Sequence, residues 1–282
     1  MMADLHAIND SINKRAGRKL LPSILVSLLL LAIIFTTINT EPLLFFGFIW
    51  VVIMIGVREI AHAYRKGGIE LPGYVLMIAA TVLLVATWNG ETEGLAVSAG
   101  LTIPILMFTL LLISQKDFIK RSTSAVFITF YLAVLGGFIL LLANHPDGAL
   151  RILALVVLIA CNDTFAYIAG VLLGKHKLAP SISPKKSWEG LIGGAIASIV
   201  GGSLIFHYLF EVNWIVGAAI GVMTVITATC GDLIESAIKR DLAIKDMSNL
   251  LPGHGGIMDR LDSALFTAPA VWFAFELIAR YL

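Results

Sequence analysis

The chain has 282 residues, of which 58% are hydrophobic and only 14% are charged, and its formal net charge is +1. Soluble proteins average about 25% charged residues, so this composition excludes an ordinary soluble domain. We expect an all-α, polytopic integral membrane protein, because a helix satisfies its own backbone hydrogen bonds inside lipid. Membrane lipid is therefore an expected partner, and nucleic acid is not.

Apolar runs long enough to cross a bilayer recur along the whole chain. A spanning helix needs roughly 20 apolar residues. This criterion predicts about nine transmembrane helices, of which the third is the shortest. The predicted spans fall near residues 20–39, 43–60, 72–88, 94–114, 123–143, 150–172, 190–210, 213–235 and 263–281.

The distribution of polar segments divides the chain into two regions. Residues 1–145 form an N-terminal transmembrane region with about five spans. Residues 146–282 form a C-terminal transmembrane region, which we expect to be the catalytic one. Its predicted cytoplasmic loops, 173–189 and 236–262, hold most of the polar residues in this half of the chain.

The basic residues of the short loops predict the orientation in the membrane. Lys and Arg are enriched in loops that face the cytoplasm. With the N-terminus in the cytoplasm, only Arg151 and Arg280 fall on the outer side, where the loops instead carry acids such as Glu41 and Asp147. We therefore predict a multi-pass protein of the inner, cytoplasmic membrane, with its N-terminus and its active site facing the cytoplasm.

Two predicted spans contain acidic residues where lipid-facing residues would be expected. Asp163 interrupts the sixth span, and Asp232 lies in the eighth. A carboxylate at membrane depth costs several kcal/mol, so such an acid is a functional candidate, although pairing with a Lys or Arg for packing is the alternative. At helical spacing, one face is shared by Asp232, Glu235, Ser236 and Lys239.

The acids of three spans are predicted to meet at one depth. Asp259 and Asp262 share a face if the last helix begins there. The sixth and eighth spans run toward the cytoplasm and the ninth runs away from it, so Asp163 and Asp232 reach the same level. Carboxylate oxygens are ligands that Mg²⁺ prefers. We therefore predict a divalent-cation site at the cytoplasmic side.

The segment before the last span combines cations with a glycine-rich turn. Arg binds phosphate through a planar fork and Lys as a point charge, and glycines let backbone N–H groups approach a ligand. His254 either hydrogen-bonds a phosphate or a base, or fixes the turn. The candidate phosphate ligands are Lys239, Arg240, Lys245 and Arg260. Beside a bilayer, this pattern indicates phosphoryl chemistry on a membrane molecule.

A second polar segment follows the sixth span. Lys175, Lys185 and Lys186 are candidate ligands of phosphates or anionic head groups, and the alternative is the usual positive charge of a cytoplasmic loop. Ser187 is placed to cap the next helix. Glycine pairs further along that helix, such as Gly201 and its neighbour, indicate close helix packing.

These two segments resemble the signatures of the phosphatidate cytidylyltransferase (CDP-diacylglycerol synthase) family. The pattern Ser-x-apolar-Lys-Arg, Lys-Asp, Pro-x-His-Gly-Gly, Asp-Arg-x-Asp is filled by Ser236, Lys239, Arg240, Lys245, Asp246, Pro252, His254, Gly255, Gly256, Asp259, Arg260 and Asp262. The family's other segment is matched at Asp163–Tyr167, Gly174–Leu178, Ser183–Lys186 and Trp188–Gly190. So many fixed polar positions make a chance match very improbable.

The likeness is incomplete in two places. Ser187 stands where the family usually has Thr, which keeps the hydroxyl, and Val171 stands where many members have Arg. If that Arg binds phosphate, its role here is vacant or falls to Lys175. The resemblance covers roughly residues 155–265, and the first five spans match only in hydropathy.

The resemblance implies a reaction and a role for each matched residue. The implied activity transfers the cytidylyl group of CTP to phosphatidic acid, with Mg²⁺ as cofactor, a second cation left open, and a homodimer as the family's assembly. It assigns Asp232 and Asp259 to the metal, with Asp262 and Asp163 as secondary ligands, and Lys239 and Arg260 to catalysis beside the two aspartates. Substrate contacts are expected from Lys175, Lys185, Lys186, Ser236, Arg240, Lys245, Asp246, His254, Gly255 and Gly256.

Two other kinds of membrane protein also place acids in spans. A cation-coupled transporter does so, but it needs no long cytoplasmic segment of cations and glycines. A CDP-alcohol phosphotransferase would carry an Asp-Gly-x-x-Ala-Arg motif, and the nearest string, at residues 147–151, has the wrong spacing. A lipid kinase would use ATP in place of CTP.

Overall fold

The computed structural model describes residues 20–248, 250 and 255–281, and for residues 20–25 and 27 only the backbone. Eight helices and one hairpin make up this part of the chain. The helices are α1 Leu20–Thr40, α2 Pro42–Lys66, α3 Gly73–Ile113, α4 Phe118–Ala143, α5 Gly148–Leu173, α6 Trp188–Phe210, α7 Trp214–Asp241 and α8 Met258–Tyr281. The strands are β1 Lys177–Ala179 and β2 Ser183–Ser187, paired antiparallel.

Among the described residues, seven helices, α2 to α8, are long and apolar enough to cross a membrane. The architecture is therefore that of an all-α membrane protein with one small hairpin, which the sequence did not predict. The basic N-terminal residues used for the orientation lie outside the described residues. The count of nine spans and the orientation stay predictions.

Helix α3 occupies the positions of two predicted spans. It has 41 residues, which at 1.5 Å per residue is about 60 Å, twice the roughly 30 Å hydrocarbon core of a bilayer. The helix is broken at Glu91, whose φ of 49° and ψ of −134° are not helical. A Cβ on Gly94 would lie 2.0 Å from the Ala86 carbonyl oxygen, so the chain bends sharply enough to bring these residues together.

The N-terminal helices supply much of the buried apolar core. Phe45, Ile53 and Tyr131 are almost fully buried, and Tyr131 contacts Phe266 of α8 at 5.7 Å between ring centroids. Leu132 of α4 lies 3.3 Å from the position that a Cβ on Gly56 of α2 would occupy. Helix α8 therefore packs against the N-terminal helices as well as against its neighbour α7.

Close packing of α5, α6 and α7 depends on glycine, as the sequence predicted. A Cβ on Gly193 of α6 would lie 2.4 Å from Ala169 Cβ of α5. On the other side of α6, a Cβ on Gly202 would lie 2.4 Å from the Gly217 carbonyl oxygen of α7. These backbones approach so closely that any side chain would force the helices apart.

Helix α7 meets α8 in the same way near the polar end of the bundle. A Cβ on Gly231 would lie 2.4 Å from the carbonyl oxygen of Asp262. Because α8 begins at Met258, Asp259 and Asp262 lie in its first two turns and on one face. The glycine thus places Asp232, the next residue of α7, beside the start of α8.

Candidate active site

An ion pair between α7 and the hairpin lies at the centre of the candidate site. Lys186 Nζ of β2 lies 2.6 Å from Asp232 Oδ2, and both side chains are partly exposed. The other oxygen of Asp232 accepts a long hydrogen bond of 3.5 Å from Ser236 Oγ, one turn further along α7. The hairpin, which was not predicted, is thus the element that brings a lysine to an intramembrane acid.

Three of the predicted acids come together around this ion pair. The carboxylate of Asp262 lies close enough to those of Asp232 and Asp163 for their charges to repel. Asp163 in turn lies near Lys186 and Arg260, whose charges attract it, and it accepts a hydrogen bond of 3.0 Å from Asn162. Three separate helices therefore contribute carboxylates to one place.

The fourth predicted acid, Asp259, is engaged differently. Its Oδ1 lies 2.7 Å from Lys239 Nζ of α7. The same ammonium pairs with Glu235, which lies one turn earlier on α7 and whose side chain is only 1% exposed. Glu235 and Lys239 were both predicted to lie on the face of Asp232. The lysine therefore joins the acidic faces of α7 and α8.

The second oxygen of Asp259 accepts hydrogen bonds from the backbone of two separate parts of the chain. Asp259 Oδ2 accepts hydrogen bonds from the backbone N–H groups of Gly256 at 2.7 Å and Met247 at 3.2 Å. Gly255 has a φ of +84°, and a Cβ there would lie 2.8 Å from Asp259 Oδ2. Glycine is thus needed at 255 both for its backbone conformation and for the space that the carboxylate takes.

A further acid in the site region was missed by the sequence analysis. Glu59 of α2 is 7% exposed and accepts hydrogen bonds from Ser248 Oγ, Ile257 N and Met258 N. A Cβ on Gly256 would lie 2.6 Å from Glu59 Oε2. The signal was available, because an acid within a predicted span was the feature that identified Asp163 and Asp232.

The segment between α5 and α6, which includes the hairpin, forms hydrogen bonds with α6 and with α7. Glu189 of α6 accepts hydrogen bonds from the backbone N–H groups of Lys175 and His176 and lies 2.6 Å from His176 Nδ1. Arg240 Nε of α7 donates to the Ile182 carbonyl oxygen at 3.1 Å. Ser187 Oγ accepts from Gly190 N at 3.1 Å, which confirms the predicted cap.

Most of the remaining predicted residues have exposed side chains. The side chains of Lys175, Lys185, Lys245 and Asp246 are exposed, and so is that of Arg260, which lies near Asp163. Val171 is 48% exposed, close to the end of α5. His254 lies outside the described residues, and its two possible roles stay open.

The donor chemistry at this end of the bundle suits a hard divalent cation. Carboxylates from α5, α7 and α8 lie around Asp232, and each can offer an oxygen. In the described residues, no three His, Cys, Asp or Glu side chains are already arranged as a ligand set. Lysine ammonium groups instead contact Asp232 and Asp259, so these acids already face positive charge.

The fold and the site together define a class of protein. It is a helical membrane protein that gathers acids, lysines and a glycine turn at one end of its bundle. Comparison with known proteins identifies the family: residues 22–278 match the model of the cytidylyltransferase family. The match extends well beyond residues 155–265, where the sequence motifs lie, and it includes most of the N-terminal helices.

Three similar proteins carry the name phosphatidate cytidylyltransferase. The chain is 34% identical to the phosphatidate cytidylyltransferase of Mycobacterium leprae (strain TN), over 94% of this chain and 90% of that protein. It is 31% identical to the one of Mycobacterium tuberculosis (strain H37Rv), over 94% and 84%. It is 32% identical to the one of Staphylococcus haemolyticus, over 79% and 86%. The chain therefore belongs to the cytidylyltransferase family.

Proposed function

We propose that this protein is a phosphatidate cytidylyltransferase of phospholipid biosynthesis, which converts CTP and phosphatidic acid into CDP-diacylglycerol and pyrophosphate. Family membership over nearly the whole chain supports this activity. The observation that carries it is the meeting of Asp232 and Lys186 beside Asp262. A site that joins two polyanions needs both cations and metal-binding acids to reduce their repulsion.

The reaction needs no nucleophile from the protein. A phosphate oxygen of phosphatidic acid attacks the α-phosphorus of CTP. The bond from that phosphorus to the bridging oxygen breaks, and pyrophosphate leaves with the electron pair. A phosphate monoester is already ionised near neutral pH, since its second pKa is about 6. Catalysis therefore rests on positioning and on neutralising charge.

The roles of the basic residues follow from where they lie. Lys239 and Arg260 flank the acids of α7 and α8 and are the proposed catalytic cations. Lys186 would contact a substrate phosphate from the hairpin side. The other candidate residues would complete the substrate contacts around them. These are Lys175, Lys185, Ser236, Arg240, Lys245, Asp246, His254, Gly255 and Gly256.

Mg²⁺ is the proposed cofactor, with a second cation left open. Asp232 and Asp259 would hold it, and Asp262 and Asp163 are the secondary candidates. When bound, it would neutralise phosphate charge and stabilise the departing pyrophosphate. The cluster of carboxylates on three adjoining helices supports this assignment. Lys239 supports it too, since it keeps Asp259 turned toward the acids of α7.

The proposed arrangement in the membrane has nine spans, with the N-terminus and the active site in the cytoplasm of the inner membrane. The break at Glu91 supports the count, since it divides α3 into two lengths that each suit one span. The division into regions 1–145 and 146–282 belongs to the same proposal, and so does a homodimer, on family grounds alone.

The lipid would reach the site sideways from the bilayer, while CTP arrives from the cytoplasm. Next to Asp163, helix α5 exposes Phe165, Ile168 and Leu172 at 51%, 43% and 74%. An apolar, exposed surface beside a charged cluster suits a substrate with acyl chains and a phosphate head.

Purified protein in detergent, given labelled CTP and phosphatidic acid, tests this function. We expect CDP-diacylglycerol to form only when lipid, CTP and Mg²⁺ are all present, and ATP not to replace CTP. Transfer of phosphate from ATP to lipid would indicate a lipid kinase. Cation flux into proteoliposomes without product would indicate a transporter. Either result would overturn the proposal.

A further inference from the structure

Glu59 is an acid for which the proposed chemistry has no direct use. It lies in α2, in the N-terminal region, and its side chain is buried among helices. A buried carboxylate requires hydrogen bonds or a cation to offset its lost hydration. Glu59 meets this requirement with hydrogen bonds from Ser248 and from the backbone that enters α8.

The hydrogen bonds of Glu59 reach both ends of one loop. Its Oε1 accepts from Ser248 Oγ at 2.5 Å and from Ile257 N at 3.1 Å, and its Oε2 accepts from Met258 N at 2.9 Å. Ser248 and Ile257 lie on opposite sides of the glycine turn. One carboxylate from α2 therefore links Ser248 to Ile257 and Met258.

The same contacts fix the start of α8. The first N–H groups of a helix have no partner within the helix, and they carry partial positive charge. Glu59 satisfies one such group from another helix, because it accepts a hydrogen bond from Met258 N. The residue after Met258 is Asp259, which pairs with Lys239. Because Met258 and Asp259 are consecutive, a shift of Met258 would move the Asp259 carboxylate as well.

We infer that Glu59 is a positioning residue for the cytidylyl transfer: it joins Ser248 to the start of α8 and thereby sets Asp259 against Lys239. This inference rests on the proposed function. Gly256 contributes to the same positioning, because a side chain there would displace the Glu59 carboxylate. The N-terminal region thus contributes to the reaction through one acid that touches no reacting atom.

The variant Glu59→Gln tests the inference with little change of shape. The amide keeps one oxygen acceptor and replaces the other with a donor, which cannot accept from Met258 N. We expect kcat to fall about 10- to 100-fold, with a smaller change in KM for CTP, because a misplacement of about 1 Å costs up to 100-fold in rate. A kcat within twofold of the unchanged protein would overturn the inference.

Backbone hydrogen exchange separates positioning from general stability. In Glu59→Gln, we expect faster exchange at the amides of Ile257 and Met258 and unchanged exchange in α6. Asp147→Asn is the matched control, because Asp147 pairs with the buried Arg151 near the start of α5, away from the acid cluster. That control is expected to lower the melting temperature while leaving exchange at residues 257–258 unchanged. Equal acceleration throughout Glu59→Gln would mean a purely structural role and overturn the inference.

A double-mutant cycle with Gly256→Ala provides a second, independent measurement. The single change is expected to lower kcat like Glu59→Gln, since it pushes the carboxylate away. In the double variant the two losses should not multiply, because both remove the same contact. Fully multiplicative losses would contradict the inference. The exchange experiment needs no turnover, so it still tests the anchoring if the protein forms no CDP-diacylglycerol and the proposed function fails.

Discussion

Two groups of carboxylates lie at the same end of the bundle, and they do different work. The helix acids, Asp163, Asp232 and Asp262, lie near one another and near Lys186. The loop acids, Glu59 and Asp259, accept hydrogen bonds from backbone N–H groups on either side of the glycine turn. The first group faces cations, whereas the second organises the backbone.

The difference shows that membrane burial alone does not define a residue's role. Each group places acids in apolar helices, where an unpaired carboxylate is costly. What distinguishes them is the partner. A carboxylate whose oxygens accept hydrogen bonds from backbone N–H groups fixes the conformation of that backbone. A carboxylate that pairs with a lysine can release the lysine and bind a cation attached to a phosphate. Asp259 belongs to both groups, since its two oxygens take different partners.

The largest expected effect comes from a helix acid. Asp232→Asn removes the charge at the centre of the group, and we expect product formation to fall by at least about 1,000-fold, the size of effect seen when a main electrostatic element is lost. Membrane expression should be unchanged. Asp241→Asn, an exposed acid on the same helix, is the control and should retain activity. Near-normal turnover by Asp232→Asn would remove Asp232 from the proposed metal site.

Asp259→Asn is expected to abolish turnover as well, but with an additional signature. The amide weakens the hydrogen bonds of Gly256 and Met247, so backbone exchange should rise at these residues. In Asp232→Asn the same amides should exchange at the normal rate. If the two variants gave identical exchange patterns, the division between helix acids and loop acids would be wrong.

The hairpin lysines provide a test of intermediate size. Lys186→Gln breaks the ion pair with Asp232, and we expect about a 10- to 100-fold loss of kcat/KM, in keeping with a charge-assisted contact worth roughly 1.5–3 kcal/mol. Lys185→Gln is the adjacent control. Its side chain is exposed, so we expect less than about a fivefold loss, mainly in KM for CTP. Equal losses of kcat/KM in the two variants, measured in a steady-state assay, would show that the ion pair with Asp232 gives Lys186 no larger role than Lys185.

The smallest effect is expected at Val171. This residue is exposed near the end of α5, at the position where the family resemblance leads us to expect Arg. If Lys175 and the hairpin supply the required charge, Val171→Arg should change kcat/KM by less than about twofold, as is typical of a surface charge. A gain of tenfold or more would mean that a phosphate contact is vacant in this protein.

The sequence predicted the acids and the helices better than it predicted the connections. Spacing placed Asp232, Glu235 and Lys239 on one face, because a helix repeats every 3.6 residues. The break at Glu91 and the hairpin were harder, since each depends on contacts with distant residues. The pairing of Lys186 with Asp232 follows from where the hairpin folds, which spacing along the chain cannot specify.

Glu59 was missed for a different reason. It occurs in a region where only hydropathy was considered, and its partners are almost 200 residues away in the chain. The rule that identified Asp163 would have selected it as an intramembrane acid. The rule would not have revealed its partners. Every residue except proline has a backbone N–H group, so the sequence does not show which of these groups bind a given carboxylate.

Manganese binding, measured by electron paramagnetic resonance on the purified protein with CTP, tests the central claim most directly. Mn²⁺ takes oxygen ligands as Mg²⁺ does. We predict that Asp232→Asn loses bound Mn²⁺, because it removes one of the two proposed cation ligands. Glu59→Gln should weaken Mn²⁺ binding far less, because it displaces Asp259 without removing a carboxylate. Undiminished Mn²⁺ binding by Asp232→Asn would contradict the account.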